Sequence, residues 1–217
     1  MGKTLQERMV RKRRLEMLLS QIKPHPNPKA YLEQYTIPPE TAAEILYLAA
    51  YTYNDIIGKT IVDLGCGTGR LAIGALLIGA REAFGIDIDK TAVLIAKASS
   101  RLLGVKDEAN WIIGDITTLR GYFDTVLQNP PFGVQRRTAD RKFLLKALEV
   151  GRTIYSLHKA GESNREFIKR FIEEHGGKVT AIFPLEIWIP PTFEFHTKRK
   201  HIVKVELYRI EGKEYVR

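Results

Sequence analysis

Short apolar runs alternate along this chain with longer stretches in which apolar and polar residues recur at helical spacing. The apolar runs predict seven strands, at residues 59–65, 82–89, 110–115, 123–129, 152–156, 178–188 and 201–210. The longer stretches predict helices at residues 4–20, 39–51, 70–80, 90–103, 140–150 and 162–175. Strands that alternate with helices indicate an α/β fold with a mostly parallel, seven-stranded sheet. Only a loop separates the last two strands, so we expect an antiparallel pair near the C-terminus.

The N-terminal segment, residues 1–30, differs in pattern from the rest of the chain. Basic residues surround the apolar positions of the predicted helix at 4–20, and prolines at alternate positions predict an extended linker over 23–30. We therefore expect a basic helix and linker over 1–30, which reach for nucleic acid rather than pack as core, and one domain over 31–217.

Composition narrows the class of protein. With 217 residues, 44% of them hydrophobic, the chain is long enough for one large domain with a sizeable core. It has no apolar stretch near the roughly 18 residues of a membrane span and no signal-peptide block, so we expect a cytoplasmic protein without membrane contact. Cys66 is the single cysteine and the histidines lack zinc-site spacing, so we expect neither a disulfide framework nor a metal site.

The charge of the chain points to a polyanionic partner. The net charge is +9, and the excess is concentrated at residues 8–14, 135–142 and 196–201. Such clustering favours nucleic acid, whereas a solvated basic face is the alternative that charge alone leaves open.

A glycine-rich turn joins the first predicted core strand to its helix. Gly65, Gly67 and Gly69 allow a tight turn and a close approach of a ligand to the main chain. The dinucleotide fingerprint would place its third glycine at position 70, which is Arg70 here. The G-x-G-x-G pattern, preceded by Asp63, favours S-adenosylmethionine, which needs no cradle for a pyrophosphate.

Two further carboxylates end the next two strands. Asp87 stands where a ribose-binding acid is expected, and Asp115 is placed to accept a hydrogen bond from the adenine amino group. Because the carboxyl ends of parallel strands meet at one edge of the sheet, these acids and the glycine turn predict an adenosine site. Each aspartate taken alone is also explained as a loop cap.

The fourth strand runs into Asn129, Pro130, Pro131 and Phe132. An exocyclic amine of a base is a poor nucleophile because its lone pair is delocalised into the ring. The Asn129 side-chain oxygen and the Pro130 carbonyl are each able to accept one N–H bond, which frees the lone pair for attack on a methyl group. Phe132 offers a flat face on which a base stacks. We therefore predict that these four residues catalyse methyl transfer to an amino group.

The motif does not name the substrate. Adenine N6, guanine N2 and the glutamine amide of release factors all present a suitable nitrogen. A turn after a strand, without any chemistry, is the plain structural alternative for an isolated match.

Beyond these motifs, the chain resembles the methyltransferase-like protein five family, whose members, archaeal ones included, are small-subunit ribosomal RNA adenine-N6 methyltransferases. The resemblance rests on "LEQYTIPPETAAEILY" (32–47), "DLGCGTGRLAIGALLIGA" (63–80), "GIDID" (85–89), "DTVLQNPPFG" (124–133), "YSLHK" (155–159) and "FEFHTKRK" (193–200). It implies a Rossmann-like class I S-adenosylmethionine-dependent methyltransferase and, as a partner, a small zinc-binding activating subunit that adds a strand to the sheet edge.

The resemblance also extends the set of cofactor contacts. It implies that the cofactor is bound by Gln34, Gly65, Thr68, Arg70, Asp87 and Asp115, with Asn129 beside the methyl group; Asp63, Gly67 and Gly69 complete the turn. The family's human member has a threonine where this chain has Ile37, and Thr36, one residue earlier, is the residue that we assign to the cofactor contact from this loop. Arg70 replaces a small apolar residue, so we assign only its backbone to the cofactor.

Two segments are candidates for contact with RNA. His158 and Lys159 end a strand, where they are able to meet a phosphate or the target base; a satisfied surface pair is the alternative. Between the last two strands, aromatic residues alternate with His196, Lys198, Arg199 and Lys200, which suits stacking on bases and pairing with phosphates.

Three functional hypotheses follow. The first is a methyltransferase that acts on adenine N6 of ribosomal RNA. The second is a protein glutamine-amide methyltransferase of the release-factor type, which uses the same chemistry but typically has a tyrosine in place of Phe132. The third is a non-catalytic RNA-binding subunit that retains the fold, and the intact glycine turn argues against it.

Overall fold

The computed structural model describes residues 10–29, 34–131, 139–189 and 201–213, apart from the side chains of residues 139, 189 and 201. The helices are α1 Lys12–Leu19, α2 Pro39–Tyr47, α3 Arg70–Ile78, α4 Lys90–Leu102, α5 Ala139–Val150 and α6 Glu162–Glu174. The strands are β1 Thr60–Leu64, β2 Glu82–Asp87, β3 Ala109–Ile113, β4 Phe123–Gln128, β5 Gly151–Lys159, β6 Lys178–Ile189 and β7 His201–Glu211. A π-helical turn at Leu48–Thr52 extends α2, and a 3-10 turn at Ile116–Thr118 follows β3.

The strands form one sheet in the order β3-β2-β1-β4-β5-β7-β6. The first five in this order pair parallel, and β7 pairs antiparallel with β5 and β6. The predicted fold class, a mostly parallel seven-stranded sheet with an antiparallel strand near the C-terminus, is confirmed. Strand β5 is longer than the predicted 152–156, because its pairing with β7 continues as far as Lys159 opposite Val205.

Apolar side chains bury both faces of the sheet. On one face α1, α2 and α3 pack over residues such as Ile61 and Leu127, and on the other α5 and α6 pack over residues such as Val62 and Val126. Adjacent strand residues therefore point into different cores, as the two-residue period of a strand requires. No helix within the described ranges is long and apolar enough to cross a membrane.

The described part of the N-terminal segment is packed onto the core. Leu15 and Leu19 of α1 and Ile22 after it are almost fully buried in the cluster that also contains α2 and α3. The buried Arg70 guanidinium donates a 2.8 Å hydrogen bond to the Ile22 carbonyl, which ties this segment to α3. The expectation of a basic helix that stands apart from the core is therefore wrong for these residues, whereas a domain boundary at residue 30 stays a prediction.

The parallel strands bring their carboxyl ends to one edge of the sheet. The order of the strands reverses direction between β1 and β4, which makes this edge the switch point at which open α/β sheets bind ligands. Gly69 caps α3 there with φ +84°, and a Cβ at this position would lie 2.5 Å from the Trp111 ring. Glycine is thus required at 69 both by the backbone and by the packing of β3 against the turn.

Candidate active site

A pocket opens at the carboxyl ends of β1, β2 and β4. It is lined by eleven of the residues that the sequence singled out: Gln34, Thr36, Asp63, Gly65, Gly67, Thr68, Arg70, Asp87, Asp115, Asn129 and Pro131. Gly69 and the buried Pro130 lie beside it without lining it. Phe132, His196, Lys198, Arg199 and Lys200 fall outside the described residues.

The glycine turn is held against the end of β2 by Asp87. The Gly67 N–H donates to Asp87 Oδ2 and the Asp89 N–H donates to Asp87 Oδ1, both at 2.8 Å. Burial raises the pKa of Asp87 above its usual value, against the effect of these two hydrogen bonds. Each carboxylate oxygen keeps an acceptor position for a ligand hydroxyl, since an oxygen carries more than one lone-pair site.

Asp63 lies deeper, at the end of β1. It is 2% exposed and accepts a 3.2 Å hydrogen bond from the Ala72 N–H, which holds the first turn of α3 against the strand. Burial raises the pKa of Asp63 to about 7. A carboxyl group in this position exchanges a proton near neutral pH, and a cationic ligand group would favour its ionised form.

Asp115 lies after β3 on the far side of the pocket. Its carboxylate accepts from Lys142 of α5 at 2.7 Å and from the Thr117 N–H at 2.9 Å. The Lys142 ammonium and the Thr117 N–H together lower the pKa of Asp115 to about 2, so this group stays ionised. Lys142 therefore links the Asp115 side of the pocket to the helix that follows the Asn-Pro-Pro-Phe motif.

Asn129 projects from the end of β4 at the opposite side. The Tyr35 hydroxyl donates to Asn129 Oδ1 at 2.7 Å. Below Asn129, the buried Gln128 donates from Nε2 to Ser156 Oγ at 2.8 Å, and Ser156 Oγ lies 2.6 Å from Nε2 of His158. A buried polar chain from β5 thus supports the residue that precedes the catalytic candidate.

Residues 34–37, here called the roof segment, cover the pocket between these two sides. Gln34 donates from Nε2 to Asp89 Oδ2 at 3.2 Å, and the Ile37 carbonyl accepts from the Arg70 guanidinium. Asp89 also pairs with Lys29 at 3.2 Å. Burial alone would raise the pKa of Asp89, but the hydrogen bonds that its carboxylate accepts, those from Gln34 and Lys29 among them, hold this pKa below its usual value.

Comparison with known proteins identifies the family of this chain. A family model for ribosomal protein L11 methyltransferase (PrmA) matches residues 41–129, which run from α2 through the glycine turn to Asn129. Over nearly the whole chain, the sequence is 34% identical to the Drosophila melanogaster rRNA N(6)-adenosine-methyltransferase Mettl5, across 92% of this chain and 95% of that protein. The chain belongs to the METTL5 family. It is likewise 33% identical to METTL5 of Danio rerio, across 90% of this chain and 96% of that protein.

A solved structure agrees with this assignment. The crystal structure of PH1948 from Pyrococcus horikoshii, described as a candidate RNA methyltransferase, superposes with a TM-score of 0.87 at 43% identity, covering 94% of this chain and 98% of that one. The predicted family resemblance and the class I methyltransferase fold are thus confirmed. The protein is a class I S-adenosylmethionine-dependent methyltransferase.

The pocket of this METTL5 family member fits the cofactor. The buried Thr68 hydroxyl has no hydrogen-bond partner within the described structure. A Cβ built at Gly67, where φ is +52°, would meet nothing within 4 Å, so the space above the turn is open. An unpartnered donor beside open backbone is what a polar ligand would complete. The described residues contain no group of His, Cys, Asp and Glu suited to a metal ion.

The structure bears on the roles expected of His158, Lys159 and Arg70. His158 is 3% exposed and its ring packs edge-on to Tyr208, so the prediction that it contacts a phosphate or a base is contradicted. Its carboxyl-terminal neighbour Lys159 is exposed and keeps that prediction open. The Arg70 side chain is occupied by the Ile22 and Ile37 carbonyls, which agrees with assigning only its backbone to the cofactor.

Three residues around the pocket, His25, Tyr35 and Asp89, are not predicted from the sequence. Asp89 has a local signal, because an aspartate before a helix is a common cap, and it accepts from Thr91 and Ala92 in that role. Its second role as anchor of the roof segment has no such signal. His25, whose Nε2 lies 3.5 Å from Asp89, and Tyr35 reach the pocket from segments distant in sequence.

Burial of His158 predicts that the folded protein becomes less stable as the pH is lowered. Burial lowers the pKa of His158 to about 3, whereas an unfolded histidine titrates at about 6.5. Between about pH 3 and pH 6.5 the imidazole of His158 binds a proton in the unfolded state but not in the folded state. The free energy of unfolding is therefore unaffected by this group above about pH 6.5 and decreases as the pH falls below it, by up to about 1.4 kcal/mol per pH unit. In denaturant titrations between pH 7 and pH 4, His158→Gln is expected to show a shallower loss than wild type. Equal slopes would contradict a neutral buried ring.

Proposed function

We propose that the protein transfers the methyl group of S-adenosylmethionine to N6 of an adenosine in small-subunit ribosomal RNA. The observation that carries the proposal is the position of Asn129, which lines the pocket at the end of β4 and whose side-chain oxygen accepts from Tyr35, another residue of the pocket lining. Family membership supports the substrate class, since the Drosophila and Danio relatives are named rRNA N(6)-adenosine-methyltransferases.

The residues present account for the chemistry that this reaction needs. When bound, S-adenosylmethionine supplies an electrophilic methyl group; Asp87 would hold its ribose and Asp115 its adenine. Asn129 Oδ1 and the Pro130 carbonyl accept the two N–H bonds of the substrate amine and free its lone pair. The freed lone pair would take the methyl group from the cofactor's sulfur, and the methylated nitrogen would then release a proton to water. No strong base is required, because nitrogen becomes acidic once it is methylated.

The charge distribution supports an RNA substrate. Arg13 and Arg14 of α1 and Lys159 at the end of β5 are exposed, and the chain as a whole carries a net charge of +9. Cations on the surface attract phosphates irrespective of sequence. The target adenosine would be flipped out of its stack into the pocket, at a cost of a few kcal/mol that an unpaired base reduces.

The second candidate is methylation of a protein amide. One observation, the match of residues 41–129 to the family model for ribosomal protein L11 methyltransferase, favours a protein as the substrate, whereas the amide as the accepting group follows from the Asn-Pro-Pro-Phe motif alone. The basic surface would then have no part in substrate binding.

Transfer of a labelled methyl group separates these candidates. The label from S-adenosylmethionine would be followed into small-subunit ribosomal RNA, tRNA, duplex DNA and a release factor, with nucleoside mass analysis and an Asn129→Ala control. We expect N6-methyladenosine in the ribosomal RNA alone. Label in the release factor alone would instead support the protein amide, and cofactor binding by calorimetry without transfer to any acceptor would point to a missing partner subunit. Absence of both binding and transfer would support a non-catalytic RNA-binding subunit.

We also propose that a small zinc-binding activating subunit adds a strand to β3. Within the described sheet β3 and β6 are the edge strands. Strand β6 carries Pro184 and Glu186, which discourage pairing with another chain, whereas β3 has the uncharged sequence ANWII. Ile113 on β3 and Leu102 on the adjacent helix are 51% and 67% exposed, which suits an apolar contact with the added strand.

A charge on this edge is expected to disrupt the complex. Ile113→Glu places a carboxylate where the partner strand would pack, so affinity for a recombinant zinc-binding subunit is expected to fall by at least roughly tenfold. Ile57→Glu, an exposed apolar residue ahead of β1, is the matched control and should bind as wild type does. Equal affinity of both variants, measured by calorimetry, would exclude β3 as the contact.

A further inference from the structure

The roof segment contacts the catalytic candidate directly. Tyr35 donates from its hydroxyl to Asn129 Oδ1 at 2.7 Å, across 94 positions of sequence. This oxygen is the atom that, under the proposed function, accepts an N–H of the substrate amine. The Asn129 side-chain oxygen therefore accepts a hydrogen bond from Tyr35 of the roof segment.

The contact leaves the oxygen able to act. A carbonyl oxygen has two acceptor positions, so a bond from Tyr35 leaves one for the amine. The last torsion of an asparagine side chain is broad and roughly two-fold, so an unrestrained carboxamide also presents its NH2 group to the pocket. In that orientation the Asn129 NH2 group and the substrate amine, both hydrogen-bond donors, would face each other, and the amine would lose its acceptor.

We propose that Tyr35 is a positioning residue that holds the Asn129 oxygen towards the substrate amine. The inference rests on the proposed role of Asn129 in accepting from that amine. Tyr35 acts through Asn129, because its hydroxyl is bonded to the acceptor atom itself.

The roof segment is held by hydrogen bonds on both sides of Tyr35. Gln34 is held to Asp89 on one side, and the Ile37 carbonyl is held by the buried Arg70 on the other. Both anchors lie outside β4, since Arg70 begins α3 and Asp89 precedes α4. Asn129 is therefore oriented by a segment that is itself fastened beside the cofactor site.

The test is Tyr35→Phe, which removes the hydroxyl and keeps the ring. We expect the single-turnover rate of methyl transfer to fall roughly 3- to 10-fold, the value of one hydrogen bond, while cofactor affinity by calorimetry stays within about twofold of wild type. Tyr51→Phe is the matched control, since the Tyr51 hydroxyl accepts from the Val10 N–H and lies outside the pocket lining. A rate for Tyr35→Phe equal to or above that of wild type would overturn the proposal.

Two further readouts separate positioning from other roles. Tyr35→Phe should cause no additional loss in an Asn129→Ala background, because the residue through which it acts is already absent. In solution NMR spectra, the side-chain amide resonance of Asn129, assigned by its absence in Asn129→Ala, should shift in Tyr35→Phe. An unchanged resonance would contradict the contact. If wild type methylates no RNA even after the zinc-binding subunit is added, the proposed function fails, and the NMR result still decides whether Tyr35 restrains the Asn129 side chain.

Discussion

Replacement of Asn129 with alanine is expected to lower the rate of methyl transfer by about 10²- to 10³-fold, the cost of removing one preorganised group from a transition-state site. The substrate amine would lose the acceptor that draws its lone pair out of the ring. Cofactor affinity should stay near that of wild type, because Asp87 and the glycine turn lie on another strand end. Single-turnover transfer to ribosomal RNA and calorimetry with S-adenosylmethionine measure the two quantities.

Asn110→Ala is the control for this comparison. Asn110 donates to Glu82 at 2.9 Å and does not line the pocket, so its loss should leave transfer unchanged. Asn129→Ala with wild-type activity would place the chemistry elsewhere in the pocket. A parallel loss of cofactor binding would instead make Asn129 a binding residue.

Replacement of Asp87 with alanine is expected to weaken S-adenosylmethionine binding by about 10- to 100-fold, the range for hydrogen bonds to a charged group. Two effects combine in this variant. The ribose hydroxyls lose their acceptor. The Gly67 and Asp89 N–H groups, which each donate to the Asp87 carboxylate at 2.8 Å, also lose their partner, so the turn is no longer held in place. Calorimetry with the full-length chain measures the change.

Asp124→Ala provides the matched comparison. Asp124 accepts from the Thr60 N–H at 2.8 Å near the amino ends of β1 and β4, away from the pocket. It should cost some stability and no cofactor affinity. Wild-type affinity in Asp87→Ala would show that the ribose is bound by other groups.

Much of the candidate site could be predicted from sequence because of a rule of parallel sheets. The motifs after the first four strands were recognisable locally, as a glycine turn, two aspartates and Asn-Pro-Pro-Phe. Since parallel strands place their carboxyl ends at one edge, strand order in the chain was enough to predict that Asp87, Asp115 and Asn129 converge. The structure brings these three residues into one pocket.

Other features depended on contacts that no local pattern reports. His158 ends its strand in sequence, yet pairing of β5 with β7 places it opposite Glu206 and buries it. The basic residues of α1 suggested a solvated helix, yet Leu15 and Leu19 on its other face insert into the core.

The sequence by itself thus determined the α/β fold class, the mostly parallel sheet and the chemistry carried by each strand end. These follow from short-range periodicity, turn residues and the geometry of parallel sheets. Only the tertiary structure decided which strand ends are covered and which side chains reach across the pocket. The Tyr35 to Asn129 hydrogen bond and the Arg70 bonds to Ile22 and Ile37 join distant segments. Such contacts depend on how separate elements pack, because neither partner carries a local signal of the other.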